Sequence, residues 1–305
     1  MVGEANTAQQ AQATAVAPLA GAERVPRASR GVWGRFRRHR LATIGVVLLG
    51  LLVAAAFAAP LIAPSPFRTE LRSLKKPPTA AHWLGTDAAG RDVYARLVYA
   101  GRVSLSVGLV AVAIYATIGI VLGALAGYYG GVVDGTVMRL ADVFLAFPSL
   151  IVIITLVSIL GPDIKNIMLA IGLLGWPPIA RLVRGLFLSL RERDFLLAGR
   201  TMGATNRRLI FRHLLPNALA PVIVAATFGM AQAILLEAGL SFLGLGVQPP
   251  TPSWGNMLTD AQSLTVLESM PWIWVPPGVM IALAVLSINF IGDGLRDALD
   301  PHFSR

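Results

Sequence analysis

Side chains able to do chemistry are scarce in this chain, and their spacing excludes most reactions. The four histidines, His39, His82, His213 and His302, are scattered, and none stands at metal-ligand spacing from a second ligand. His82, in a polar stretch between apolar runs, is the one placed to touch a metal solute, although a lone loop histidine seldom does. There are no cysteines, which removes disulfides, zinc–thiolate sites and thiol catalysis. No Ser/His/Asp set and no carboxylate pair falls where a catalytic centre would form. Only Lys75, Lys76 and Lys165 carry an ammonium group, and none follows a glycine, so a Walker A phosphate loop is excluded. No catalytic residue, cofactor or metal ligand is expected here; if ATP drives this protein, ATP and magnesium sit on another chain.

Two acids stand out. Glu237 closes a long uncharged run and opens a glycine-rich apolar one. An ionisable group at that depth costs about 2.5 kcal/mol or more to insert. It must face a cavity, a partner or a polar group. A structural role near broken backbone at Gly239 and a role in a pathway or gate both stay open. Asp142 precedes Phe147-Pro148-Ser149 and is expected near the N-terminal end of its helix, where a negative charge suits the dipole.

The most informative spacing lies in Arg191 to Asn217, RERDFLLAGRTMGATNRRLIFRHLLPN, an arginine-rich island between two apolar runs. It predicts a short helix, a glycine break and a second short helix, with Pro216 opening the next span. Asp194 reads as the N-cap of the first helix and Gly203 as its stop. Thr205 or Asn206 caps the second. Phe195, Ala198, Gly199 and Met202 share one face at helical spacing. Ala198 and Gly199 leave that face almost bare, so another backbone could approach it. Spacing alone fits two readings: a docking element for a soluble partner, or a basic loop against anionic headgroups.

The elements that carry these residues belong in a bilayer. Of 305 residues 55% are hydrophobic and 14% charged, well below the quarter charged typical of soluble domains. The net charge of +10 gathers as arginines at the ends of apolar runs, which argues against nucleic acid. The expected fold is all-α and polytopic, with six spans near 41–63, 103–127, 138–160, 166–186, 214–238 and 271–292. The fourth is short, and it recruits Arg181 and Arg184, whose stems can snorkel; Pro177-Pro178 predicts a kink in it. Asp92 to Tyr99 reads as an amphipathic interfacial helix leading into span two. Gly119, Gly123 and Gly127 form a close-packing ridge.

With the N-terminus inside, the cytoplasm receives 18 of the 26 basic residues and the exterior 8. That orientation makes residues 1–40 a basic cytoplasmic tail, disordered at its start, and 41–63 an uncleaved anchor. Residues 64–102 become an extracytoplasmic segment, 103–293 a core with a cytoplasmic loop at 187–213, and 294–305 a cytoplasmic C-terminal tail.

Leu197-Ala198-Gly199, Gly203-Ala204 and His213-Leu214-Leu215-Pro216 resemble, in spacing, the signature loop of binding-protein-dependent ABC importer permeases. That pattern is Glu-Ala-Ala, three residues, Gly, nine residues, Ile-x-Leu-Pro. Leu197 stands for the Glu, Gly199 for the second Ala and His213 for the Ile. The stretches 82–106, Glu237 to Pro250 and Gly292 to Pro301 are similar to the dipeptide/oligopeptide/nickel branch, in particular its second, C-type subunit.

The resemblance implies a type I permease fold and a bacterial or archaeal plasma-membrane subunit with both termini inside. It implies partners: a homologous second permease subunit, two ABC ATPases and an extracytoplasmic solute-binding protein. It makes Asp194, Phe195, Ala198, Gly199, Met202, Gly203, Ala204, Leu215 and Pro216 the ATPase-coupling loop. The solute class it implies is di- or oligopeptides, with nickel, glutathione or oligosaccharides as alternatives. A stand-alone channel or secondary transporter would instead need ionisable residues along several spans or an inverted repeat, and neither is evident in the sequence.

Overall fold

The computed structural model describes residues 32–299, so most of the expected N-terminal tail, residues 1–31, and the end of the C-terminal tail with His302 lie outside the described residues. The described chain is helical, with two isolated antiparallel bridges, Thr69 to Arg91 and Thr86 to Asp92. Five helices are long and apolar enough to cross a membrane, and a sixth span forms if one bent pair counts as one.

A short helix α1 (Val32–Phe36) leads into α2 (Arg40–Ile62), where His39 caps the start by accepting from the Ala42 amide at 3.1 Å. Pro60, in the last turn of α2, has no N–H for the Ala56 carbonyl. Arg102 supplies the missing donor: its Nε meets Ala56 O at 2.6 Å and its Nη2 meets Phe57 O at 2.7 Å. A basic residue that reads as loop charge thus serves as a backbone donor to the neighbouring span.

Helix α3 (Val93–Tyr129) is one continuous 37-residue rod. The amphipathic helix expected over 92–99 and the span expected at 103–127 are therefore a single element, capped by Asp92, whose Oδ1 accepts from the Ala95 amide at 2.8 Å. Neither arginine along its first third interrupts it. Arg96 is buried beside Asp87, and Arg102 is occupied on α2.

Two spans are interrupted. Helix α4 (Gly131–Ala146) and α5 (Ser149–Leu160) meet at an 84° bend over Phe147-Pro148. The straight span expected at 138–160 is not formed, because Pro148 cannot donate back into α4. Asp142 consequently lies near the C-terminal end of α4, not the N-terminal end of a span. It gains Arg181 as partner at 2.5 Å instead of a favourable dipole. Helices α6 (Ile164–Leu174) and α7 (Trp176–Leu190) divide at Gly175, with Pro177 and Pro178 in the first turn of α7, where a missing N–H costs nothing. Arg184 forms a two-pronged pair with Asp134 of α4, its Nη2 lying 2.5 Å from Oδ2.

The glycine ridge of α3 lies against α7. A Cβ on Gly123 would fall 2.4 Å from the Ala180 carbonyl oxygen, and one on Gly127 would fall 2.6 Å from Phe187 Cβ. Only a bare backbone permits this approach.

After α7 come α8 (Asp194–Thr201) and then α9, which runs unbroken over Asn206–Phe242. Pro216 falls in the first turn of the α-helical part of this element, Leu215–Phe242, as expected. A π-helical turn at Leu209–Leu214 widens the coil just ahead of it, and the helix passes through. Short helices α10 (Trp254–Met257) and α11 (Leu264–Ser269) lead to α12 (Pro271–Leu299), so the stretch expected as a tail from residue 294 stays helical to Leu299.

Candidate functional site

At one end of the bundle the α7–α9 connection builds a compact knuckle. Arg193 occupies the N-cap position of α8 without a side-chain cap, and Asp194 is its first helical residue, not the cap expected from the sequence. The Asp194 carboxylate still faces the favourable pole of the helix, as Arg200 does at the other end. Two backbone bonds end α8: Gly203 N–H donates to Arg200 O at 3.0 Å, and Ala204 N–H donates to Gly199 O at 3.0 Å. This six-to-one, five-to-two pattern needs a left-handed residue at Gly203, whose φ is +77°. Thr205 caps the next turn by accepting from the Arg208 amide at 3.4 Å. Asn206, the alternative cap, accepts from the Tyr128 hydroxyl at 2.7 Å.

One side chain fixes α8 to the bundle. Leu196 is fully buried in a cluster with Phe187, Leu209 and Leu214. Gly199 lies against the same surface, since a Cβ there would come 3.1 Å from Leu209 Cδ2. Ala204 and Leu215 pack at the margin of this cluster, while Pro216 is exposed. The Arg200 guanidinium lies 5.8 Å above the Tyr128 ring, a second strap to α3.

The remaining side of α8 is apolar and bare. Met202 is 81% exposed, Phe195 and Leu197 are each 47% exposed, and Ala198 between them is open as well. The structure thus splits the expected face: Phe195, Ala198 and Met202 point outward, while Gly199 serves the inner contact. Leu196 and Tyr128 drew no attention in the sequence; the only trace of the first is its place one residue off the face chosen.

The other end of α9 carries Glu237, which has no exposed surface. Ser241 Oγ donates to its Oε1 at 2.7 Å, and Ser104 Oγ donates to its Oε2 at 3.2 Å. Those hydroxyls in turn accept from backbone: Ser104 from Trp254 N at 3.1 Å, and Ser241 from Val247 N at 3.1 Å. One carboxylate therefore ties α3, α9, the turn after it and α10. Trp254 adds its indole N–H to Leu97 O at 3.0 Å.

Above this network lies a cavity of about 280 Å³ edged by Asp87, Arg91, Arg96 and Asp260. Asp87 accepts from the amides of Ala89 and Arg91 and pairs with Arg91 Nε at 2.7 Å. Burial, and then the nearby Asp87 charge, push the Asp260 carboxyl above the usual carboxylate range. His82 lies 2.8 Å from Asp92 and 3.5 Å from Glu70. Among the described residues no group of three or more His, Cys, Asp or Glu is placed to hold a metal ion.

This arrangement of spans is a fold shared with known proteins. The sequence model of the family described as "Binding-protein-dependent transport system inner membrane component" matches residues 119–305. The chain belongs to that family. Residues 29–78 of this permease also match the "N-terminal TM domain of oligopeptide transport permease C".

Among curated relatives, the dipeptide transport system permease protein DppC of Alkalihalophilus pseudofirmus is 45% identical over 89% of each chain. The oligopeptide transport system permease protein OppC of Bacillus subtilis is 38% identical, covering 94% of this chain and 95% of its own. The glutathione transport system permease protein GsiD of Pectobacterium atrosepticum is 40% identical, covering 89% and 90%. An inward-facing structure of the MetNI methionine ABC transporter aligns with a TM-score of 0.55 at 21% identity, covering 67% of this permease and 96% of that chain. At that identity the likeness concerns the fold.

Proposed function

We propose that this permease forms half of the translocation pathway of an ATP-driven importer of di- or oligopeptides, and that α8 is its coupling helix. The termini and α8 face the cytoplasm, as the excess of arginine on that side supports. The chain holds no nucleotide site of its own; ATP and magnesium act on two ABC ATPase subunits. A second permease subunit completes the pathway, and an extracytoplasmic binding protein delivers the solute. Peptides lead as the solute class because the dipeptide and oligopeptide permeases match along nearly the whole chain.

The observation that carries the docking role is the bare face of Phe195, Ala198 and Met202 on a helix whose other side Leu196, Gly199 and Arg200 hold to the bundle. An apolar face in water is costly, and a groove on a soluble partner would cover it. When ATP binding closes the ATPases, the grooves carry both α8 helices with them, and the permease pair rocks between inward-open and outward-open states.

The test is Gly203→Leu. Nothing lies within 4 Å of a Cβ at Gly203, so the change adds no clash and acts through the left-handed backbone and the bulk it presents outward. We expect membrane insertion and basal ATP hydrolysis to persist while hydrolysis no longer drives uptake. Normal uptake by that variant, or failure of any ATPase to co-purify with the wild-type permease in mild detergent, would count against the docking role.

A further inference from the structure

The two interruptions in the spans open onto one space. Ser149, the first residue of α5, and Gly175 and Pro178, at the α6–α7 junction, line a cavity of about 470 Å³ with Tyr115 of α3 and Gln232 of α9, within the range of small-molecule sites. Tyr115 and Gln232 lie well inside their helices. Neither α5 nor α7 has a side-chain cap on its first turn. Hydrocarbon cannot satisfy such helix ends; they are tolerated at membrane depth where protein covers them or where they line a wet cavity.

The side chains at this cavity point the same way. Tyr115 is only 7% exposed, yet its hydroxyl makes no hydrogen bond among the described residues. Its ring passes directly against α9: a Cβ on Gly229 would fall 1.5 Å from the Tyr115 hydroxyl, so only a glycine gives it room. Gln232 follows one turn later on α9, exposed, and its carboxamide is likewise unpaired among the described residues. A carboxamide and a phenol each donate and accept. No charged residue lines the cavity.

We propose that this cavity is where the permease holds its solute in transit, and that the Tyr115 hydroxyl and the Gln232 carboxamide bind the amide groups of the solute backbone. The assignment rests on the peptide reading above and adds the contact residues. Neutral groups that both donate and accept match what all peptides share, while the absence of a charged wall leaves side-chain charge unread.

The test uses the assembled importer, with both permeases, the ATPases and the binding protein, in proteoliposomes. This chain has no cysteine, so Gln232→Cys introduces its single thiol. We expect a water-soluble methanethiosulfonate to label Gln232→Cys, and dialanine presented with binding protein and ATP to slow that labelling, while Leu51→Cys on the exposed side of α2 shows no dialanine protection. Tyr115→Phe and Gln232→Leu should each raise the KM for dialanine uptake about threefold to tenfold, the loss of one solute hydrogen bond, with stimulated ATP hydrolysis kept.

Absence of labelling in both the nucleotide-free and the ATP-bound complex overturns the proposal whatever uptake does. An unchanged KM in both variants overturns the solute contact. If the wild-type importer hydrolyses ATP and Gln232→Cys is labelled, but dialanine is not taken up, the wet cavity stands and the peptide reading falls.

Discussion

At the α10 end, polar groups turn inward and satisfy one another: Glu237 holds Ser104 and Ser241, and both hydroxyls hold backbone amides of the following turn. At the α8 end the arrangement is reversed. One leucine, a glycine turn and Arg200 over Tyr128 hold the helix, and Phe195, Leu197 and Met202 remain uncovered. At the first end the Glu237 carboxylate and the Ser104 and Ser241 hydroxyls all find their partners within this chain. The second is an unfinished surface whose apolar area needs something from outside. The difference suits the two ends to different work: cohesion where the network closes and, on the function proposed above, contact with a moving partner where it does not.

If that contrast is right, breaking the peg should free α8 without loosening the α10 end. Leu196→Ala removes most of a fully buried side chain, which in cores costs about 2–5 kcal/mol. Because Leu196 anchors one short helix, the loss should appear as local opening. Hydrogen exchange should rise across α8 while α10 amides stay protected. Equal deprotection at both ends would mean that they are one cooperative unit. Glu237→Leu is the reciprocal change. It strands the Ser104 and Ser241 hydroxyls, and each unsatisfied buried group costs about 1–3 kcal/mol. The expected outcome is a lower thermal midpoint for the detergent-solubilised complex and faster exchange at Trp254 and Val247. Glu237→Gln, which keeps one carbonyl acceptor, should lose less. A Glu237→Leu protein as stable as the parent would remove the network as the source of cohesion.

What could be read beforehand followed a physical rule. Gly203 and the Gly119, Gly123, Gly127 ridge were legible because a glycine's role is set by backbone geometry, which local spacing reveals. The all-α membrane fold was legible from long uncharged runs. Side chains whose roles depend on distant partners were not. Leu196 looks no different from Leu197 until Leu209 and Phe187 arrive to bury it. Asp134 gains meaning only when Arg184, fifty residues on, reaches it. The bend at Phe147-Pro148 was hidden by apolar residues that continue evenly through it. That one rod runs from Val93 to Tyr129 was not legible, because Arg96 and Arg102 meet their partners, Asp87 and the α2 carbonyls, only in the fold.

The remaining changes are smaller and separate geometry from bulk. Gly203→Ala keeps the α8 surface nearly unchanged and asks only for a left-handed alanine, about 1–2 kcal/mol of strain. If rigidity of the knuckle matters, this variant should fall between the parent and Gly203→Leu in uptake per ATP hydrolysed. Parental coupling would place the effect of Gly203→Leu in its bulk instead.

Arg102→Met, at the α10 end, leaves the Ala56 and Phe57 carbonyls without their donor but keeps an apolar stem of similar reach. Arg102 is only half-buried, so water can replace it in part, and the expected loss is about 0.5–1.5 kcal/mol. The effect should be confined to α2 around Pro60, read as faster exchange there, with α8 and the uptake ratio untouched. A change in coupling from Arg102→Met would show that the two ends communicate, and the division drawn between them would have to be abandoned.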